Sequence, residues 1–250
     1  DRLSFRNFLD FPENVPDFTT IWKIRERLIE SKIEPKIWEE LQKQINNRGY
    51  TIKKGVIQDA AFIEADLGRK RYYKEKKAEK NGKKIEYSEK QLQHIDQDAS
   101  FSIKHGQVHF GYKNHIKIDV GNEIIREYEV STASLHDGEI DLTKNGDEIV
   151  YRDKGYFGKK LKAKNVNDKT MKRAVRGHPL DENEIKRNRK ISGIRSPGER
   201  IFSVIKTIFN GDETKVKTLD RVSIKEMLKC FAFNLYQLVT LIRKDLARAI

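Results

Sequence analysis

Three carboxylates stand where the chain has few ordinary reasons to place them. Asp59 sits inside the apolar run Val56-Ile57-Gln58-Asp59-Ala60-Ala61, Asp153 follows the strand-like Ile149-Val150-Tyr151-Arg152, and Glu199 ends the turn-like Ser196-Pro197-Gly198-Glu199. A charge inside an apolar strand is costly unless an opposite charge or a metal ion meets it. Carboxylates at strand ends in α/β sheets commonly face the ligand crevice. Two or three carboxylates from separate elements are the usual protein share of a Mg²⁺ site, and two such ions about 4 Å apart serve phosphoryl transfer. Each acid also has a plain reading. A strand Asp can simply pair with Lys or Arg, and Glu199 can complete a capping box with Ser196 as cap and Pro197 at the first helical position. Glu199 stands out through its R-x3-E-x6-K spacing with Arg195 and Lys206. On a helix, Glu199, Ser203 and Lys206 share a face opposite the apolar residues Ile201, Phe202, Ile205, Ile208 and Phe209.

The elements that must position these acids follow from periodicity. Residues 1–50 read as helical: Asp17 to Thr20 offers caps ahead of Ile21, Trp22, Ile24 and Leu28, while Pro35 opens and Gly49 closes a further helix. Strand patterns are expected at 53–63, 110–120, 124–132, 149–152 and 171–175, with Gly121-Asn122 turning a hairpin between the second and third. Short helices are expected near 137–142 and 157–163, a polar loop at 177–194, and a helix beginning at Ser196-Pro197. A long final helix carries Ile224, Met227, Leu228, Phe231, Leu235, Leu238 and Ile242 on one stripe. The sum is a mixed α/β core with helical flanks. It divides into a helical region 1–50, a core 51–217 interrupted by a basic insertion at 64–107, and a final helix over 218–250.

Bulk composition points to a polyanionic partner. The 250 residues carry 51 Lys and Arg against 38 Asp and Glu, a formal net charge of +13, and each bound phosphate would release counterions. Within 69–90 ten Lys or Arg face four Glu, so that stretch is an exposed linker or a DNA-contacting arm. Tyr72, Tyr73 and Tyr87 interleave its lysines. A single cysteine, Cys230, rules out a disulfide framework within one chain and suits a reducing compartment. No apolar run is long enough to span a bilayer, and no G-x4-G-K-S/T loop suggests a nucleotide cofactor. His105, His109 and His115 lack Cys partners for a zinc site, and Asp137 reads as a helix cap. The chain begins at Asp1 without Met, so a preceding segment is expected.

Taken in order, these motifs resemble the DDE transposases of bacterial and archaeal insertion sequences, in the IS-four/IS-five superfamily. The resemblance runs over nearly the whole chain. It rests on Asp1 to Leu9 and Pro16 to Trp22, on Gln58-Asp59-Ala60, on Phe110 to His115, and on Ser134-Leu135-His136-Asp137. It continues through Tyr151-Arg152-Asp153-Lys154-Gly155-Tyr156, Arg195 to Lys206, and Phe233-Asn234-Leu235. Ser192 and Arg152 depart from it, standing where the family has a Tyr and usually a small residue. The interval of 46 positions from Asp153 to Glu199 leaves no room for a large inserted β domain.

The resemblance implies a ribonuclease-H-like fold, a mixed five-stranded sheet flanked by helices. It implies that Asp59, Asp153 and Glu199 are catalytic and hold two Mg²⁺ ions, with Mn²⁺ able to substitute. Arg195, Lys206, Lys154, Arg187 and Arg189 are expected to contact double-stranded DNA, both element ends and target. A homodimer on DNA is expected, in a prokaryotic cytoplasm at the nucleoid. Two other readings stay open: a non-catalytic DNA-binding derivative, and a structure-selective nuclease that cuts without joining.

Overall fold

The computed structural model of the chain describes residues 3–8, 10, 15–67, 71–104 and 106–248. Three helices lead: α1 (Leu3–Phe8), α2 (Phe18–Ser31) and α3 (Glu34–Asn47). Their boundaries follow local chemistry. Asp17 caps α2 by accepting the Thr20 amide at 2.7 Å, and Pro35 occupies the first turn of α3, where its missing N–H costs nothing. The chain leaves α3 through Gly49 at φ +86°, a conformation L side chains resist.

The sheet is built from β1 (Val56–Ala65), then, after the short helices α4 (Arg71–Lys80) and α5 (Glu89–Leu92), from β2 (Ser100–Lys104), β3 (Gln107–Asp119), β4 (Ile125–Thr132), β5 (Ile149–Arg152) and β6 (Asn167–Thr170). The long helix α6 (Glu182–Phe209), the two-residue β7 (Glu213–Thr214) and the helix α7 (Leu219–Arg248) complete the chain. Five strands make the core, in the order β4-β3-β1-β5-β6. β1 is antiparallel to β3, and β3 to β4; β5 runs parallel to β1, and β6 parallel to β5. A central strand with an antiparallel hairpin on one side and two parallel strands on the other is the ribonuclease-H-like arrangement. β2, on the first part of β3, and β7, beside the end of β1, extend it to seven strands. Gly111 lets β1 and β3 approach. A Cβ there would stand 2.2 Å from the Ile63 carbonyl oxygen, with φ at +148°.

Strand alternation gives the sheet two different faces. Ile57, Ile116, Ile118 and Ile125 point to one, where they pack with Trp38, Leu41 and Ile45 of α3, Ile201, Phe202 and Ile205 of α6, and Met227, Cys230 and Phe233 of α7. The other face is polar although buried. It carries Gln58, Lys113, His115, Lys117 and Arg152, all at most 7% exposed. Irregular chain closes over it and satisfies several of those groups. The Gln58 amide bonds the Ile140 carbonyl and the Leu142 N–H, Lys113 donates to the Leu135 carbonyl, and Lys117 pairs with Asp147 at 3.0 Å.

Several elements differ from the sequence expectation. The helix expected at 137–142 is a single 3-10 turn, Asp137–Glu139, capped by His136 rather than by Asp137. The helix expected at 157–163 is absent; a 3-10 turn over Lys154–Tyr156 stands just before it. The last core strand lies at Asn167–Thr170, not 171–175, because register with β5 and the contacts of Asp168 and Thr170 with Arg152 outweigh the apolar residues that follow. The expected loop at 177–194 is mostly helix. α6 starts at Glu182 with a full capping box, Asp181 accepting the Glu184 amide and Glu184 the Asp181 amide. Ser196 therefore caps nothing, and Pro197 lies inside the helix. The apolar face expected on α2 is largely open, with Ile21, Trp22 and Ile24 exposed.

Candidate active site

The ladder between β1 and β5 decides which acids meet. It pairs Ile57 with Tyr151 in parallel, so two residues further along both strands Asp59 and Asp153 lie level and on the same face. Neighbouring strands are roughly 4.8 Å apart, which puts Asp59, inside β1, beside Asp153, the residue that follows β5. Asp153 is held there by a local turn. Its Oδ1 accepts the Gly155 N–H at 2.8 Å, and a Cβ on Gly155 would sit 3.0 Å from that oxygen, so a side chain at 155 would crowd the turn. Arg152 anchors the strand just before it. The guanidinium is 1% exposed and donates to Asp168 at 2.7 Å, Thr170 at 2.8 Å and the Lys159 carbonyl at 3.0 Å. Those contacts account for an Arg at a place where the resembled family usually has a small residue.

Asp59 is reached from the other side by α6. Gly198 faces it: a Cβ there would lie 3.9 Å from Asp59 Oδ2, and 3.7 and 3.6 Å from methyls of Ile57 and Ile118. One turn earlier on the helix, Arg195 Nη2 bonds the same Oδ2 at 2.7 Å, while Asp59 Oδ1 accepts the Ala60 N–H at 2.9 Å. Burial pushes the Asp59 carboxyl above the ordinary carboxylate range; Arg195 pulls it back and the Asp153 charge pushes it further up. An effect of that sign on Asp59 is what a second carboxylate close by produces. Tyr156 is 1% exposed and close enough to feel both charges. Burial, then the charges of Asp59, Asp137 and Asp153, hold its phenol well above the usual range. Asp137 pairs with Lys113 Nζ at 2.7 Å. Tyr156 and Lys113 were not singled out from sequence, although both lie within motifs that carry the family resemblance.

Glu199 is exposed on α6, next to Gly198 and one turn beyond Arg195. It therefore lies at the rim of the Asp59–Asp153 pair rather than between them. Among the described residues, no three His, Cys, Asp or Glu side chains are gathered tightly enough to hold a metal ion. The donor set of Asp59 and Asp153 suits a hard divalent cation: two carboxylates, level on adjacent strands.

The expected DNA contacts divide. Lys154 and Arg189 are exposed and Lys206 is partly so. Arg187 instead donates to the Thr170 carbonyl at 2.9 Å, tying α6 to β6, and Arg195 is turned onto Asp59. His105 lies outside the described residues. His109 stacks on Phe62 and meets Glu64 at 2.5 Å, whereas His115 bonds Ser131 at 2.7 Å. Six strand positions, about 20 Å, separate those two rings, so they share no metal. A groove of about 830 Å³ between α3, β4 and the start of α7 is unsuited to DNA. There Glu34, Glu39, Glu127, Glu129 and Asp220 outnumber Lys43 and Lys144.

The fold and the paired acids define a nucleic-acid-processing class, and the comparisons give the family. Residues 51–235 match the transposase DDE domain, and this chain belongs to that family. It is similar to the transposase for insertion sequence element IS1106 of Neisseria meningitidis serogroup B, 26% identical over 206 residues, covering 79% of this chain and 70% of that protein. No solved structure matches. No helix among the described residues is long and apolar enough to cross a membrane.

Proposed function

We propose that the chain cuts DNA at the ends of an insertion sequence and joins the freed 3′-hydroxyls to target DNA, with Asp59, Asp153 and Glu199 holding two Mg²⁺ ions. The observation that carries this reading is the level placement of Asp59, inside β1, and Asp153, just past the end of the adjacent parallel β5, in a ribonuclease-H-like sheet. The bound ions would supply Lewis-acid polarisation of the scissile phosphate and activation of the attacking oxygen. The protein's part is positional. Asp59 and Asp153 present hard oxygens from rigid strands. Glu199 brings a third carboxylate from α6, close to where Gly198 approaches Asp59. Lys154, Arg189 and Lys206 would meet phosphates around that point, and Arg187 would keep α6 docked on β6. Two ends must be held together for transposition, so a homodimer forms on double-stranded DNA, without a nucleotide cofactor. The helical region 1–50 and final helix 218–250 would buttress a catalytic core at 51–217, with the basic insertion 64–107 available to DNA.

The test is cleavage and strand transfer on end-containing duplexes with Mg²⁺ or Mn²⁺. Asp153→Asn keeps the shape and removes the charge, so it is expected to abolish both reactions while leaving DNA binding and stability near wild type. Equal cutting by the variant would refute the metal-site assignment. Cutting without joined products would favour a nuclease.

A further inference from the structure

Resting on the metal-site reading above, we propose that Arg195 is a latch: in the DNA-free protein it occupies Asp59, and a DNA phosphate draws it away and frees that carboxylate for a divalent cation. Both oxygens of Asp59 are engaged as the chain stands, Oδ2 by Arg195 at 2.7 Å and Oδ1 by the Ala60 amide at 2.9 Å. A cation approaching Oδ2 would meet the guanidinium's like charge at contact distance, so the two compete for one site.

The guanidinium itself is poorly provided for. Its side chain is 12% exposed, Nε has no hydrogen-bond partner, and Nη1 reaches only the Met171 sulfur at 3.8 Å, a weak acceptor. An Arg has five N–H donors in a planar fork that matches phosphate, and among the described residues Asp59 is its one charged partner. A phosphodiester beside α6 offers more acceptors than Asp59 does. Removing Arg195 takes away the largest charge compensating Asp59 beside Asp153, a loss that a divalent cation makes good.

The helix is weakest where this exchange must happen. Pro197 has no N–H for the Gly193 carbonyl, and its ring crowds that carbonyl, a combination that kinks helices. Arg195 sits between those two residues, and Glu199 immediately beyond them. A small bend there moves Arg195 off Asp59, while Gly198, packed on Ile57 and Ile118, keeps Glu199 beside the site. DNA and cation then strengthen each other's binding, and the coupling is reciprocal.

The experiment titrates Mn²⁺ onto the whole chain, following free Mn²⁺ by electron paramagnetic resonance. Wild type, Arg195→Gln, Arg195→Lys and Asp59→Asn are compared alone and with a short duplex, the duplex's own Mn²⁺ uptake being subtracted. Arg195→Gln is expected to bind Mn²⁺ about tenfold more tightly than wild type without DNA, corresponding to about 1.4 kcal/mol. DNA should tighten Mn²⁺ binding in wild type and leave Arg195→Gln nearly unchanged, with Arg195→Lys between them. Unchanged or weaker Mn²⁺ binding in Arg195→Gln, with binding lost in Asp59→Asn, overturns the latch and leaves the metal site standing. Wild-type binding by Asp59→Asn overturns the metal-site reading itself.

Discussion

Gly198 is the point at which α6 meets the acid-bearing strand, and a substitution series there tests that packing. A methyl added at Gly198 would stand 3.6 Å from Ile118, 3.7 Å from Ile57 and 3.9 Å from Asp59 Oδ2, all ordinary van der Waals separations. Gly is also the poorest non-proline helix former, about 1 kcal/mol worse than Ala inside a helix. Gly198→Ala therefore gains helix propensity and buries a methyl worth up to about 0.8 kcal/mol, set against further drying of the Asp59 carboxylate. The net expectation is stabilisation by roughly 1 kcal/mol. Gly198→Leu adds three more heavy atoms where Ile57 and Ile118 already close the space, and overpacking of that kind costs about 1–3 kcal/mol. Relief comes by lifting α6 off β1, which would separate Arg195 and Glu199 from Asp59. Urea unfolding of both variants measures the stabilities, and the cleavage assay reads the site. A loss above about 1 kcal/mol for Gly198→Ala, or no loss for Gly198→Leu, would refute the packing of α6 on β1.

Two further outcomes follow from the fold. Asn188 is 5% exposed and clamps both backbone groups of Lys172 at 2.9 Å, so Asn188→Ala should cost roughly 2–3 kcal/mol in urea unfolding by stranding them. His115 is fully buried and burial pushes its imidazole down to about 4; Asp137 opposes that shift and Lys113 adds to it. The native chain then binds fewer protons than the unfolded chain between about pH 6.5 and 4, so stability falls as pH drops through that window, by roughly 3 kcal/mol in all. His115→Gln should flatten the pH dependence of the urea midpoint over that range; an unchanged slope would contradict a neutral buried imidazole.

Much of this protein was legible without coordinates. Apolar alternation around Asp59, the hairpin at Gly121-Asn122 and the strand ending at Arg152 are local patterns, and β5 falls where it was expected, at Ile149–Arg152. Asp59 stood out as a charge inside an apolar strand, and Asp153 as a carboxylate where a strand ends. The existence of α7 was equally plain from its many apolar residues, but not its buried face, which runs through Met227, Cys230, Phe233 and Asn234 while Leu228 and Leu235 of the expected stripe are exposed. The beginning of α6 was not plain. Glu182 to Arg189 is nearly all polar, and a Pro at 197 argues for a start rather than a middle. What carries the helix through is tertiary: Asn188 clamped on Lys172, Ile191 buried, Arg187 on Thr170 and Gly198 against β1. The polar second face of the sheet was hidden likewise, because Lys113, His115, Lys117 and Arg152 read as surface residues until the loops that satisfy them are in place. The sequence by itself determined which carboxylates were anomalous and on which strands they lay. Only the tertiary structure decided that parallel register sets Asp59 level with Asp153, that Arg195 closes on Asp59, and that Glu199 waits one turn further along. Register and helix approach depend on contacts between residues 94 or more positions apart, which no local pattern encodes.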